Sequence, residues 1–440
     1  MNKIYLISLG CSRNLVDSEV LQGLLKKEGY VISDAPENAD IGIVNTCGFI
    51  NDAKDESLQV ILQMVELKKT GKLKKIIVTG CLSQRYPDQL MEEITEIDAM
   101  FGSSDFVKIP ASIKAILSGE KVRDVAGTPG YLNDHTSKRI SMTPGHYAYL
   151  KIQEGCSNMC CYCVIPHLRG PLRSRHIDSL VLETEMLIAE HDIKELIVVA
   201  QDTTAFGTDR SGKSELPELL KELSPRMKDR WIRILYTHPA HFSDKMIDII
   251  ADTDNICNYI DIPIQHTDDD ILKNMNRKMT NREIFTLTAG LRKRIPDAVL
   301  RTSVIVGFPG ETDTQFENLL KDLENIGFDR LGAFIYSQEE GTPAAKMKGQ
   351  IPEDVKRERF DRVMRLQQRI SSENNLKLIN RTLKVLVDAR EDGRYLGRSY
   401  MDAPEVDGLI YVDADSLDIG EFADVKITGT MEYDLIGEAV

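Results

Sequence analysis

Four of the eight cysteines in this 440-residue chain, Cys156, Cys160, Cys161 and Cys163, crowd into the stretch EGCSNMCCYCVIPHLRG (154–170). Such crowding admits a closed four-thiolate metal site, two disulfides, or three ligands beside a bystander. Cys156, Cys160 and Cys163 have the spacing C-x3-C-x2-C. Three thiolates on a four-iron cluster would leave one iron open to a ligand from outside the protein. With those three as ligands, the adjacent Cys161 faces elsewhere. A Cys3His zinc site using His167 is the alternative.

Three further cysteines share another regularity. Cys11 follows KIYLISLG (3–10), Cys47 follows DIGIVNT (40–46) and Cys81 follows KKIIVTG (74–80). Each run reads as a strand, and helical spacing such as VDSEVLQGLLKKEG (16–29) lies between them. This alternation predicts a Rossmann-like parallel sheet over residues 1–118. In such a sheet the carboxyl ends of the strands share the edge where ligands bind, so the three cysteines would converge. Three buried structural cysteines are the plainer reading. Cys257, just before the apolar YIDI, reads as core.

Composition narrows the function classes. A net charge of −14 argues against broad nucleic-acid binding, which needs a cationic face. No stretch approaches 18 apolar residues, so no membrane span is expected. The start, MNKIYLISLGCSRN, reads as a strand and not as an export signal. The expected location is therefore cytoplasmic, where clustered cysteines suggest metal or catalysis.

The elements that must position the first cysteine group come next. Residues 119–142, rich in Gly, Pro, Ser, Thr and Asp, read as a linker. A second strand–helix series over 143–372 has six strands, including YLKIQEG, ELIVVAQD and VLRTSVIVGFPG, which predicts a partial (β/α)6 barrel with its site at the strands' carboxyl ends. Gln201 and Asp202 stand there, with a solvated turn as their plainer role, and so do Gly307, Pro309 and Gly310. His238, His241 and His266 also lie near strand ends. A long helix is expected over 351–379, and short strands over 373–440 predict a small OB-like β-barrel.

In this order the parts resemble the radical SAM methylthiotransferases, over essentially the whole chain. The cysteine motif, with Tyr162 as its aromatic, is similar to the radical SAM signature. LGCSRNLVDSE (9–19), NTCGFINDAKDES (45–57), GCLSQRYP (80–87), DIPIQH (261–266) and YSQEEGTPAA (336–345) resemble further methylthiotransferase segments. The resemblance implies a TRAM-type terminal barrel and two [4Fe–4S] clusters, one on Cys156, Cys160 and Cys163 and one on Cys11, Cys47 and Cys81. It implies S-adenosylmethionine at the first cluster, met by Tyr162, Gln201, Asp202, Gly307, Pro309 and Gly310. One such molecule would donate a methyl to sulfur, and a second would be cleaved to a radical that opens an unactivated C–H bond. An electron donor and a sulfur donor are implied partners.

The segments after Cys11 and Cys47 resemble the branch that modifies an aspartate of ribosomal small-subunit protein twelve. The branch that modifies tRNA adenosine is the alternative. Residues 376–440 hold 14 acidic and 7 basic residues, a balance that repels phosphate and attracts a basic ribosomal protein. An ordinary acidic surface is the plainer reading. Asp402, Glu405, Asp407, Asp413, Asp415 and Asp418 are the docking candidates, and nucleic acid is not expected as substrate. A further alternative is a non-enzymatic iron–sulfur protein that binds RNA or protein; it would not cleave S-adenosylmethionine.

Overall fold

The apolar runs before Cys11, Cys47 and Cys81 become three neighbouring strands of one sheet. In the computed structural model, which describes residues 2–440, six parallel strands stand in the order Val31–Ile32, Lys3–Ser8, Ile41–Thr46, Lys75–Gly80, Ala99–Phe101 and Val122–Asp124. Alternate residues serve opposite faces. Ile41, Ile43 and Ile77 pack with Val20 and Leu21, whereas Val44, Ile76 and Val78 pack with Ile61, Met64 and Val65. The helices Ser12–Lys27 and Ile109–Leu117 cover one face and Asn51–Lys69 the other.

The stretch 119–142 contributes an edge strand to the first sheet before it crosses to the next domain. Val122–Asp124 pairs with Ala99–Phe101 as the sheet's edge strand, because that edge offers unpaired backbone groups. The remainder is clamped between domains. Arg139 is ion-paired to Glu19 of the first helix and, at 2.5 Å, to Glu183 of the next domain. The Met142 and Ile140 amides donate to the side chain and carbonyl of Glu19.

The second series forms two three-stranded parallel sheets. One holds Tyr147–Lys151, Glu195–Val199 and Trp231–Ile234; the other holds Tyr259–Asp261, Val299–Val306 and Arg330–Ile335. A parallel bridge between Ile232 and Ile256 joins them into a six-stranded partial barrel. Leu150, Leu196, Val198, Ile232 and Leu300 face its outer helices. The long helix spans Glu353–Leu376, so the expected boundary at 372/373 falls inside it. Its last turn leads directly into a closed five-stranded barrel of Thr382–Glu391, Arg394–Arg398, Ile410–Asp413, Phe422–Thr430 and Leu435–Ala439.

This terminal barrel closes the amino-terminal mouth of the partial barrel. Tyr147, Tyr149, Ile197, Trp231 and Tyr259 share one core with Val385, Leu386, Ile410 and Val412. Buried charges stitch the junction. Glu195 accepts from Arg233 at 2.6 Å and from Arg398 at 2.8 Å, and Arg233 donates to the Tyr400 carbonyl at 2.8 Å. Two docking candidates are consumed here. Asp402 is 2% exposed and pairs with Arg330 at 2.6 Å. Asp407 accepts from the Tyr259 hydroxyl at 2.5 Å, from the Ala403 amide at 2.9 Å and from Arg301 at 3.4 Å. Both compensate arginines inside the molecule, so neither is free for a partner. Glu405, Asp413, Asp415 and Asp418 are exposed.

Glu195→Ala leaves Arg233 without its carboxylate and Arg398 with Asp388 alone. The expected cost is about 3–5 kcal/mol, the usual penalty for breaking a buried pair. It is read as a lower denaturant midpoint for the transition that exposes the single tryptophan, Trp231, which packs edge-on against Phe422 at 4.7 Å.

Candidate functional site

Cys11, Cys47 and Cys81 arrive at one sheet edge because their strands are adjacent and parallel. Cys11 caps the helix Ser12–Lys27, Cys47 follows Thr46 at once, and Cys81 opens the helix Cys81–Arg85. Gly10 has a φ of +84°, and a Cβ there would lie 2.8 Å from Cys47 Sγ. Only glycine lets the first and second cysteines come this close. The second group sits on the loop after Gln153–Glu154, at the carboxyl end of the first partial-barrel strand.

Both groups face one cavity of about 330 Å³. Its wall contains Cys11, Cys47 and Cys81 from one domain and Cys156, Cys160 and Cys163 from the other. All eight cysteines are free thiols. Cys161 is turned away: its thiol donates to the Asn274 carbonyl at 2.9 Å, and it packs with Met275, Phe308 and Tyr336. His167 is exposed and does not line the cavity, so the three thiols and this imidazole do not converge as a closed zinc site.

Three guanidiniums accompany the thiols. Arg13 Nε donates to Cys11 Sγ at 3.4 Å, Arg169 Nε to Cys81 Sγ at 3.3 Å, and Arg277 Nη1 to Cys160 Sγ at 3.6 Å. Burial pushes Cys47 and Cys156 up to about 11 and Cys163 up to about 12. These are neutral thiols at neutral pH until a cation replaces the proton. Burial also raises Cys11, but Arg13 and Arg169 outweigh it and hold that thiol below its ordinary range. Two triads of soft donors, each with N–H groups aimed at sulfur, fit iron–sulfur clusters with one open iron apiece.

Tyr162, Gln201 and Asp202 also line the cavity. Gln201 Nε2 donates to Glu154 at 2.7 Å, while its buried Oε1 has no protein partner. Burial raises the Asp202 carboxyl, but hydrogen bonds from His241 and Thr204 outweigh it and hold it at about 2. His238, lowered to about 3 by burial, is a neutral wall residue stacked on His241. Gly307, Pro309 and Gly310 do not reach the cavity. A Cβ on Gly307 would meet Lys356 Cγ at 2.3 Å, and the Gly310 amide donates to the Gly349 carbonyl at 2.9 Å. At Gly307 the glycine turn allows close packing of the long helix. His266 is fully buried and outside the wall as well.

The arginines and the wall residues Tyr236, Gln265 and Met159 escaped the sequence reading. Arg13 and Arg169 stand inside quoted motifs, two and six residues from a cysteine, and that proximity was the available signal. Arg277 is 114 residues beyond Cys163 and carries none. Tyr236, Gln265 and Met159 hold φ values of 60°, 71° and 55°, a left-handed backbone that clusters at functional sites.

These features define a radical SAM enzyme with an added thiol-bearing domain and a terminal barrel, and three family models match accordingly. The uncharacterized protein family UPF0004 covers residues 3–102, the radical SAM superfamily 150–323 and the TRAM domain 379–440. Curated relatives named ribosomal protein uS12 methylthiotransferase RimO match over the full length. That of Syntrophotalea carbinolica is 47% identical over 100% of this chain and 97% of the relative. Those of Lachnoclostridium phytofermentans and Clostridioides difficile are each 48% identical, over 99% and 100% of this chain and 100% and 99% of the relatives. The chain belongs to the uS12 methylthiotransferase family, and it is a transferase that uses S-adenosylmethionine and [4Fe–4S] clusters. Among solved structures, the radical S-adenosylmethionine methyltransferase TsrM of Kitasatospora setae shares the fold at TM-score 0.58 and 13% identity, over 84% of this chain and 89% of that one. The cobalamin-dependent enzyme OxsB does so at 0.51 and 13%, over 84% and 56%.

The cavity's two walls are locked by Glu339, which is 2% exposed. It accepts from Arg85 at 2.6 Å and Lys54 at 2.9 Å, both of the first domain, and from Ser337 at 2.6 Å. Burial raises its carboxyl, but these partners outweigh that and leave it below the ordinary range. The stabilisation is therefore present above the usual carboxylate pKa and lost as pH falls through the depressed one. Glu339→Gln at neutral pH should loosen the seam by roughly 1.5–3 kcal/mol. Faster amide exchange in Cys81–Arg85 and the first turn of Asn51–Lys69 is the readout, and acid below the ordinary carboxylate range should reproduce it.

Proposed function

We propose that this enzyme transfers a methylthio group to the β-carbon of an aspartate in ribosomal small-subunit protein uS12. The observation that carries the reading is the single cavity with a cysteine triad on each wall, in a chain close to half identical to full-length uS12 methylthiotransferases. The three cysteines of each wall would hold one [4Fe–4S] cluster. When bound, the clusters and S-adenosylmethionine supply the sulfur, the methyl group and the radical that opens an unactivated C–H bond. The protein's own part is placement and exclusion. Arg13, Arg169 and Arg277 direct N–H groups at sulfur and offset negative charge. Gln201 Oε1, with no protein partner, and the charged Asp202 line the same cavity as the Tyr162 ring and would hold the cationic amine of S-adenosylmethionine. Phe49, Tyr162, Ile165, Pro166 and Tyr236 give the cavity apolar wall that keeps water from a radical.

The exposed acids Asp413, Asp415 and Asp418 of the terminal barrel suit a basic protein partner and not RNA. The enzyme works in the cytoplasm with separate donors of electrons and sulfur. Mass spectrometry of small-subunit proteins from cells with and without the gene tests the substrate. A methylthio increment on uS12 should vanish with the gene; an unchanged uS12 beside altered tRNA would overturn it. Cys160→Ala should lose one cluster's iron and all 5′-deoxyadenosine formation, whereas Cys161→Ala should keep both.

A further inference from the structure

Of the three guanidiniums on the cavity wall, two have both terminal nitrogens engaged. Arg169 Nη1 is paired with Asp17 at 2.5 Å and its Nη2 donates to Asn14 at 2.9 Å. Arg277 Nη1 reaches Cys160 and its Nη2 donates to the Pro263 carbonyl at 2.5 Å. Arg13 differs. Its Nε goes to Cys11 Sγ and its Nη1 to the Ala200 carbonyl at 2.9 Å, on the opposite domain. Among the described residues its Nη2 has no hydrogen-bond partner, and no carboxylate lies within ion-pair distance of the group.

Arg13 also spans the two domains at the cavity: its Nε meets Cys11 Sγ in one and its Nη1 the Ala200 carbonyl in the other. The guanidinium carbon lies 4.5 Å from the centre of the Tyr236 ring. Tyr236 takes a left-handed φ of 60°, pinned by its amide to Asp261 at 2.7 Å and by its carbonyl to the Thr203 amide at 3.0 Å. A strained residue thus orients a half-buried cation with one terminal nitrogen left over. Arginine in that state is built to receive a carboxylate.

We propose that Arg13 binds the side-chain carboxylate of the substrate aspartate and so sets the aspartate specificity of the site. This rests on the proposed function. In an aspartate the carbon to be modified is bonded to the carboxylate carbon. A carboxylate anchored at Arg13 therefore keeps that carbon within one bond of the anchored group, between the cysteine walls. A neutral asparagine at the same place would lose the charge-assisted hydrogen bond and leave the cation uncompensated.

The test is a double-mutant cycle on the cluster-loaded enzyme, with affinity as the readout. Wild type, Arg13→Gln and Arg13→Lys are each titrated with purified uS12 and with a uS12 variant carrying Asn in place of the target aspartate. Wild type should bind the Asn variant roughly ten- to a hundredfold more weakly. Arg13→Gln should bind both forms with the same, weakened affinity, and Arg13→Lys should recover part of the discrimination. Iron content and substrate-free 5′-deoxyadenosine formation are measured alongside. Only fractions of each variant that match wild type in iron content enter the comparison, and Arg13→Lys carries the test where Arg13→Gln loads poorly. Discrimination kept by Arg13→Gln, or absent in wild type that still modifies uS12, would overturn the assignment while leaving the proposed function standing. Wild type that neither binds nor modifies uS12 would overturn both.

Discussion

Everything at the cavity depends on one buried set of four charges where the domains meet. Asp17, on the first helix of the sheet domain, is paired with Lys151 and Arg169 of the partial barrel. Glu154 accepts from Lys151 at 2.8 Å and stands 3.5 Å from Arg169. None of the four side chains is more than 5% exposed. Two acids and two bases balance, and Gln201 and Asn14 take up further lone pairs and N–H groups. Such a set is stable only when every member is present and placed, because any one charge left alone in that interior is expensive. It therefore permits essentially one docking geometry.

That geometry is what the site needs. Arg169 ends the short helix Ile165–Arg169 that follows the second triad, yet its Nε reaches Cys81 of the first. Asp17 lies six residues after Cys11 on the helix that Cys11 caps. The same contacts that join the domains therefore set the separation of the two thiol groups. Arg139 with Glu19 and Glu183, and Glu339 with Lys54 and Arg85, repeat the device around the seam. A cavity lined from both sides needs walls that do not drift, since misplacement by an ångström is costly when a reactive carbon must meet two centres.

The terminal barrel answers a different need. A partial barrel of six strands has an open floor, and here the floor is filled by the loop around residues 399–407. Its acids neutralise arginines that point inward from the strands. Acidity in this region is thus divided. Asp402 and Asp407 are internal counter-charges, while Asp413, Asp415 and Asp418 remain at the surface.

The elements and the convergence of Cys11, Cys47 and Cys81 were legible in the sequence. Alternating strands and helices, each strand ended by a cysteine, determine a parallel sheet with Cys11, Cys47 and Cys81 on one edge, because parallel strands present their carboxyl ends together. Spacing sets Cys161 apart only once Cys156, Cys160 and Cys163 are taken as ligands, as the family resemblance implies; in the structure its thiol turns to the Asn274 carbonyl. Five short strand signals were enough for the terminal barrel. What spacing does not carry is contact between segments far apart in the chain. Arg277 beside Cys160, the inward use of Asp402 and Asp407, the packing role of Gly307 and the anchoring of the stretch at 119–142 follow from which side chain meets which across domains. Only the tertiary structure decided those, because burial and pairing of a charge depend on its whole surroundings and not on its neighbours in sequence.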